Sequence, residues 1–579
     1  MTAIRFVTCL KIIKKENFAD IFHSQTNSCK IDTEVIMAQK TKTTRKRKPN
    51  YSKRARRLQR EMLYSFLLLI GVIVLLARFH SSPAHYKLVV YQEDGEADTI
   101  QYYTSFKTAK REMMKLIEQG KFNPAVLDEQ EQIMAIRYGI VNFRTKTCGE
   151  NTSYVNAHNQ KNGYTNGCYG ADGAYLETDD KGEKVKFKQS GAVGWVKRSD
   201  IEIYNYFDQT KVKSVNHYTI EDGAIIHNGT TDLSKNEYPT VISLGKTKTA
   251  FQDQRLYSYD GHYFYSAYSQ MIDDYRNDTY ENSVNNKEPH FNYYQYLSHR
   301  AKTSYVSKDI NAYITNILGF VAKPSGYPCA KQESQLYDEG YSFIDAQNTY
   351  GVNALMMLSL AINESGFGKS QIAIEKNNLF GHAAYDHAPD ASANGYKDVA
   401  AGIATHASLF LNQGYLNPCD QSDPDDTGSA AACFNRSGNR YLGGYFGDKE
   451  SGMNVSYASD PYWGEKAAQY YRTMDGYLGG KDETRYTLKI LQNKPKTPCY
   501  AQPDTSSKTL FYTPPTENYA VVILGEVNGE TIDGNSVWYK IQSDAVLTNA
   551  RNAVVTAPKN YNHNSDVIYL PAAYFQSSE

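Results

Sequence analysis

The chain has 579 residues and equal numbers of basic and acidic side chains, 63 of each. That length is too great for a single core, so several domains are expected. The neutral total is not uniform. Residues 1–60 hold sixteen Lys and Arg against four Asp and Glu, and the remainder carries the compensating acidic excess. Any nucleic-acid-binding character is therefore confined to one arm, and the hydrophobic run that follows argues against it even there, so no nucleic-acid partner is expected.

Residues 1–36 are unlike the leader of a membrane anchor, whereas Met37 opens a lysine- and arginine-rich stretch. Translation is expected to begin at Met37, which would leave Cys9 and Cys29 outside the native protein. Met62–Ala77 is a run of sixteen residues without a charge. A span takes about 20 residues, and Arg78 and Phe79 can extend this one to the interface. The sequence predicts an uncleaved transmembrane helix over 62–79 and a cytoplasmic basic arm over 1–61, with every later residue outside the cell. Signal-peptide cleavage stays open, because Ser81, Ser82 and Ala84 follow.

Residues 85–143 predict a small α+β module. KLVVYQ reads as a strand, SFKTAKREMMKLIEQG as an amphipathic helix ended by Gly120, and AIRYGIVNF as a second strand. Over 144–205 short strands alternate with Gly- and Asn-rich turns, as a small barrel requires. Residues 206–334 form a tyrosine-rich spacer. In it LYSYDGHYFYSAY sets Asp260-Gly261 between alternating aromatics, a hairpin signal. Its tyrosines are either half-buried strand positions or a platform for stacking sugars. NYYQYLSHRAKTSYVSKDINAYITNIL predicts a helical lead-in to the next domain. Over 484–579 the runs TLKILQ, YAVVILGEV and SVWYKIQ predict strands again, with Pro498, Pro503, Pro514 and Pro515 marking loops.

Six cysteines follow the apolar run. Outside the cell disulfides are permitted. Cys148 with Cys168, and Cys419 with Cys433, are the simplest pairings, while Cys329 and Cys499 either join distant regions or stay free. No CxxC pair and no HExxH string occurs. No metal site and no cofactor is expected, and His382, His387 and His406 read as structural or substrate-contacting residues.

The most informative stretch is 361–381, AINESGFGKSQIAIEKNNLFG. Val352, Leu355, Met356, Leu358, Ala361 and Ile362 predict a helix buried on most sides, stopped by Gly366 and Gly368. Glu364 sits at the end of that helix. Burial disfavours the charged carboxylate and raises its pKa, which suits a general acid; the alternative is a carboxylate that caps the helix or pairs with a cation.

The run Glu364, Ser365, Gly366, Phe367, Gly368 and Ser370, then Asn377, Asn378, Leu379, Phe380 and Gly381, resembles the signature of the glucosaminidase family of peptidoglycan hydrolases. A later block of that family is matched by Tyr457, Ala458, Ser459, Asp460, Pro461, Tyr462, Trp463 and Gly464. The resemblance covers roughly residues 335–478. It departs from the family pattern at His382, where an aliphatic residue is more usual. SGAVGWVKRSDIEIY, with Gly194, Trp195 and Val196, resembles the last hairpin of bacterial SH3-like wall-binding modules. The strands after 484, with Trp538 and Tyr539, resemble a second such barrel.

These resemblances imply a multidomain chain with a mainly α, lysozyme-like catalytic domain over 335–478, flanked by small all-β SH3-like barrels behind the N-terminal transmembrane helix. The implied activity is cleavage of the β-1,4 bond between N-acetylglucosamine and N-acetylmuramic acid in peptidoglycan glycan strands, in wall remodelling or daughter-cell separation. Glu364 would be the general acid, and Tyr457 would line the cleft beside the scissile bond. Asn377, Asn378, His382, Asp460 and Trp463 would contact substrate. Each of these five also has a structural reading, in loop ordering or packing. For the second role in glycosidic cleavage the candidates are Glu375, Asp386, Asp390, Glu450 and Asp460, or the substrate's own 2-acetamido oxygen. Residues 417–439 read as a loop over the cleft mouth. A lytic transglycosylase or muramidase and a non-catalytic wall-binding scaffold remain alternatives, and the oligomeric state is open.

Overall fold

The computed structural model describes residues 64–65, 85–93, 95–247, 251, 255–383, 393–418, 440–492, 496–555 and 560–575. All but the first two fall in one compact unit that runs from Pro83. The predicted basic arm, the span over 62–79 apart from Tyr64 and Ser65, and the 417–439 insert apart from Asn417 and Pro418 lie outside the described residues, as do Cys9, Cys29, Cys419 and Cys433.

The unit opens with four antiparallel strands, β1 (Tyr86–Tyr91), β2 (Ala97–Tyr103), β3 (Asn123–Leu127) and β4 (Ile133–Ile136), in the order β2-β1-β3-β4. Helix α1 (Phe106–Glu118) lays Phe106, Ala109 and Met113 against Leu88, Val126 and Ala135. The single strand predicted from AIRYGIVNF is divided: β4 stays in this sheet and β5 (Gly139–Asn142) enters the next. That sheet adds β6 (Thr152–Asn156), β7 (Asn162–Thr165), β8 (Asp172–Thr178), β9 (Lys184–Gln189), β10 (Ala192–Lys197) and β11 (Glu202–Asn205), in the order β11-β5-β8-β9-β10-β6-β7. Three further strands, β12 (His217–Glu221), β13 (Ala224–Gly229) and β14 (Thr240–Lys246), pair in sequence.

Asp260-Gly261 does turn the chain, between a bridge of Tyr257 with Tyr265. The aromatic run then continues as helix α2 (Tyr268–Asn277) rather than as a strand. The predicted helical lead-in is broken into the turn Tyr293–Tyr296, Ser307–Ala312 and a π-helical turn Tyr313–Ile317. Helices α3 (Gly340–Tyr350), α4 (Ala354–Ser365), α5 (Val399–Thr405) and α6 (Trp463–Leu478) follow, and α4 packs on α6 through a core that includes Leu355, Leu358, Ala467 and Tyr471. The chain ends in six strands, β15 (Thr487–Gln492), β16 (Pro498–Tyr500), β17 (Thr509–Tyr512), β18 (Asn518–Ile532), β19 (Asn535–Gln542) and β20 (Val567–Pro571), in the order β15-β18-β19-β20-β16-β17.

This corrects the expected fold class. Strand, at 27%, exceeds helix, at 25%, and lies in several antiparallel sheets, so a mainly α catalytic domain flanked by small SH3-like barrels behind a transmembrane helix does not describe the chain. The strands were hard to weigh because β3 and β5 are buried on both faces and so lack the alternation that announces a strand. The transmembrane helix of the expected fold class is not part of the observed one. Among the described residues no helix is long and apolar enough to cross a membrane. The longest, α6, has 16 residues, carries Glu465, Lys466, Arg472 and Asp475, and falls short of the roughly 20 that a span takes.

The tyrosine-rich segment fills the junctions between these parts. Its rings supply apolar area, and its hydroxyls supply donors to buried carboxylates. Tyr259 donates to Asp172 at 2.6 Å, where Asn216 also donates at 2.7 Å, and Tyr296 donates to Asp448 at 2.8 Å. Lys188 meets Asp260 at 2.8 Å with both side chains enclosed.

Cys148 and Cys168 form a disulfide across twenty residues of sequence, and Cys329 and Cys499 are free. A loop of that length constrains the unfolded chain by about 3 kcal/mol. Replacing both bridged cysteines by serine is expected to lower the denaturation free energy by that order; an unchanged midpoint would contradict it.

His158 reaches Glu517 at 2.9 Å and Glu450 at 3.4 Å, linking β6 to the last sheet. Hydrogen bonds to Glu450 and Glu517 push its pKa up to about 10. Burial outweighs the imidazolium at Glu450, whose pKa rises. At Glu517 burial also acts upward, but the His158 hydrogen bond and the charges of Lys188 and His158 prevail and its pKa falls. His158 is charged in the folded state over a range where the unfolded side chain is neutral. Its contribution to stability is present in full below about pH 6.5 and is lost as pH rises through about 10. Denaturant titrations between neutral pH and pH ~10 should show a steeper loss for the wild type than for His158→Gln; parallel slopes would count against the pairing.

Candidate active site

Helix α4 starts at Asn353, whose side chain accepts a hydrogen bond from the Met356 amide at 3.0 Å. Every residue from Ala354 to Ile362 is buried, so the helix runs through the core and reaches a surface only at Asn363 and Glu364. Gly366, with φ of 55°, ends it in the left-handed conformation that glycine adopts without strain. Ser365 Oγ accepts from the Gly368 amide at 2.7 Å, and Ser370 Oγ accepts from Ala373 at 3.2 Å to restart a short helix, Gln371–Lys376. The Glu-Ser-Gly-Phe-Gly-x-Ser string is thus a stop, a turn and a restart, and it leaves one half-buried carboxylate at the end of a core helix.

That carboxylate has defined partners. Glu364 Oε1 accepts from the indole Nε1 of Trp463 at 2.5 Å and from Asn363 Nδ2 at 3.1 Å. Burial pushes the Glu364 pKa up, the two donors oppose the shift, and the negative charge of Asp460 adds to it. A half-buried acid displaced in this direction holds its proton further toward neutral pH than a free glutamate does.

Trp463 opens α6. Its neighbour Gly464 is required there, since a Cβ would lie 1.9 Å from the Gly447 carbonyl oxygen. Phe446 packs edge-on to the indole at 5.9 Å, and Tyr457 stacks on it at 4.6 Å. The Tyr457 hydroxyl donates to the Phe380 carbonyl at 3.2 Å, which ties the second sequence block to the first. Its pKa is held far above the usual tyrosine value by burial and then by the charge of Glu364.

Glu364, Tyr457 and Trp463 are therefore brought together. Asp460 lies close enough to act on Glu364 electrostatically, while its own oxygens accept from Lys466 Nζ at 2.5 Å and the Tyr462 amide at 2.9 Å. Asn377 and Asn378 face the loop. Asn377 ends the short helix at φ 54° and donates to the Tyr396 carbonyl at 3.0 Å; Asn378 is buried and bonds His382 and Asn394 carbonyls and the Phe380 and His382 amides. His382 is 4% exposed. Its ring lies 3.7 Å from that of Phe410, and its nitrogens meet Tyr396 at 2.8 Å and His406 at 3.0 Å. Burial lowers its pKa to about 3, so it is neutral at physiological pH.

Among the other carboxylates proposed for a second role, Glu375 is exposed beside Gln371 and Glu450 faces Asn156 and His158. Asp386 and Asp390 lie outside the described residues, as does His387. Among the described residues no cluster of three or more His, Cys, Asp or Glu is placed to hold a metal ion. A small cavity lined by residues that include Ser190, Tyr259, Asp260, His262, Asp448 and Glu465 does not include Glu364.

Sequence reasoning missed three neighbours of the site. Asn363 directly precedes Glu364 and could have been suspected. Tyr415, whose ring lies 5.2 Å from that of Tyr457, sits in an apolar helical stretch with no motif around it. The third is the seven-stranded sheet, which clasps the 456–461 loop: Tyr164 donates to the Ser456 carbonyl at 3.0 Å, the Asn166 amide to Ser459 at 3.0 Å, and Ser190 to Pro461 at 2.6 Å.

Residues 340–476 match the family model described as glucosaminidase, mannosyl-glycoprotein endo-beta-N-acetylglucosaminidase. Two proteins from strains of Streptococcus pneumoniae, provisionally named endo-beta-N-acetylglucosaminidase, are 39% identical to this chain over 149 residues, which is 26% of its length. The match spans only 19% and 18% of those curated relatives. Among solved structures, a catalytic mutant of Autolysin E of Staphylococcus aureus in complex with the disaccharide NAG-NAM is 19% identical, covering 32% of this chain and 73% of that one at a TM-score of 0.21. The same protein alone gives 18% and 0.20. Residues 340–476 of this chain are thus a domain of the glucosaminidase family of glycoside hydrolases.

Proposed function

We propose that the chain hydrolyses peptidoglycan, cutting the β-1,4 bond on the reducing side of N-acetylglucosamine with Glu364 as general acid. The observation that carries this is the Glu364 carboxyl itself, delivered by a buried helix, raised in pKa by burial and gripped at one oxygen by the Trp463 indole. Glycosidic cleavage needs a proton on the leaving oxygen, and general acid help of this kind is worth roughly 10²–10⁴-fold. The family name and those of the pneumococcal relatives support the choice of the N-acetylglucosaminyl bond. The Cys148–Cys168 disulfide is consistent with an exported protein, where this substrate lies. The test is digestion of purified peptidoglycan by the full chain. Release of soluble fragments is expected; binding without release would leave a wall-binding scaffold.

A further inference from the structure

Glu364 presents two oxygens that are not equivalent. Oε1 accepts two hydrogen bonds, from Trp463 Nε1 at 2.5 Å and from Asn363 Nδ2 at 3.1 Å. An indole nitrogen and an amide NH₂ are donors only, so a proton on Oε1 would face two other donor hydrogens. Among the described residues no such donor meets Oε2, and a Cβ added at Gly381 would lie 3.7 Å from it. We propose that Trp463, assisted by Asn363, is a positioning residue of the general acid, fixing the carboxyl so that its proton is carried and delivered by Oε2 on the Gly381 side. The proposal rests on the hydrolase reading above and adds to it the atom that gives up the proton and the side chain that decides which atom this is.

Protonated Oε2 gives its proton to the glycosidic oxygen as the bond from that oxygen to the anomeric carbon breaks; water adds to the oxocarbenium-like carbon, directly or after the substrate's 2-acetamido oxygen, and the proton it releases restores the acid. The intervening carboxylate is stabilised by the donors already on Oε1. The indole is well suited to this task. Trp463 packs against Tyr457 and Phe446, and the next residue, Gly464, lies against the Gly447 carbonyl, so the indole is held by packing as well as by the carboxyl it serves.

The test uses Trp463→Phe, which retains an aromatic ring against Tyr457 and removes the N–H, with Asn363→Ala as a second variant outside the core. The acid form is the active one, so activity falls as pH rises through the Glu364 pKa. The two donors stabilise the carboxylate and hold that pKa down; without them the basic limb of the pH–rate profile on purified peptidoglycan should move to higher pH. A shift of about one pH unit is expected for Trp463→Phe, and a smaller one in the same direction for Asn363→Ala. The rate at the optimum should fall about tenfold or more for Trp463→Phe, with KM little changed. Slower turnover with the basic limb at its wild-type position in both variants would reduce Trp463 to a packing residue and overturn the proposal. If Glu364→Gln digests peptidoglycan as fast as the wild type, the hydrolase reading falls, and this inference with it.

Discussion

Glu364→Gln is expected to release soluble fragments from peptidoglycan roughly 10²–10⁴-fold more slowly than the wild type, with no loss of stability. Glutamine has the same shape and keeps an acceptor oxygen for Trp463 and Asn363, but it has no proton to give. The stability half of the expectation follows from the same environment. Burial raises the Glu364 pKa, and a group whose folded pKa lies above its unfolded value binds protons more tightly when folded. As an ionised carboxylate it therefore opposes folding at neutral pH. The neutral amide removes that penalty, so the denaturation midpoint should stay level or rise. Fragment release and denaturant titration on the same preparations check both halves. Lost activity together with lost stability would point to a structural role for Glu364.

Arg300→Ala is expected to carry the largest stability effect, a loss of about 3–5 kcal/mol. Arg300 is wholly buried. Its guanidinium donates to the Asp544 carbonyl at 2.8 and 2.6 Å, to the Tyr350 carbonyl at 2.9 Å and to Asn412 at 2.8 Å, and it lies 4.1 Å from the centre of the Tyr561 ring. These partners belong to both the glucosaminidase domain and the final β region, so one side chain joins the two. Truncation leaves the Asp544 carbonyl and the Asn412 side-chain oxygen without the donors that Arg300 supplies, which costs about 1–3 kcal/mol for each group left unsatisfied. Trp463 and Trp538 report on the two regions by fluorescence. The variant should unfold at markedly lower denaturant, with the Trp538 region detaching first. A change of under about 1 kcal/mol would contradict this role for Arg300.

The part of the site carried by local chemistry was legible in the sequence. Helix caps, turns and restarts are decided within a few residues, so Glu364 to Ser370 could be read directly as a helix running into a glycine-broken turn. The partnership of Glu364 with Trp463 spans 99 positions and leaves no local trace; from its place beside the motif Trp463 read only as a residue that stacks on a sugar ring or packs. His382 illustrates the opposite difficulty. A histidine beside a motif invites a role in contacting substrate, but only the fold shows its ring enclosed among Phe410, Phe380 and His406.

The β regions were the least legible. β11 pairs with β5 and β6 with β10, pairings that no local pattern announces. The tyrosines alternate like strand residues near Asp260, yet Tyr268 and Tyr275 lie on a helix and their neighbours serve buried carboxylates. The sequence also invites a reading of the first β region as a separable wall-binding module. In the structure Tyr164, Asn166 and Ser190 hold the loop that carries Tyr457 and leads into Trp463, so that region also supports the candidate active site.

The account rests on a protonated Glu364 cutting on the reducing side of N-acetylglucosamine. Reducing-end analysis of the soluble fragments tests this most directly, by borohydride reduction and mass spectrometry of digests made with the wild type and with Glu364→Gln. New N-acetylglucosaminitol ends in the first digest and almost none in the second are expected. N-acetylmuramitol or 1,6-anhydro ends, or equal yields from the two proteins, would contradict it.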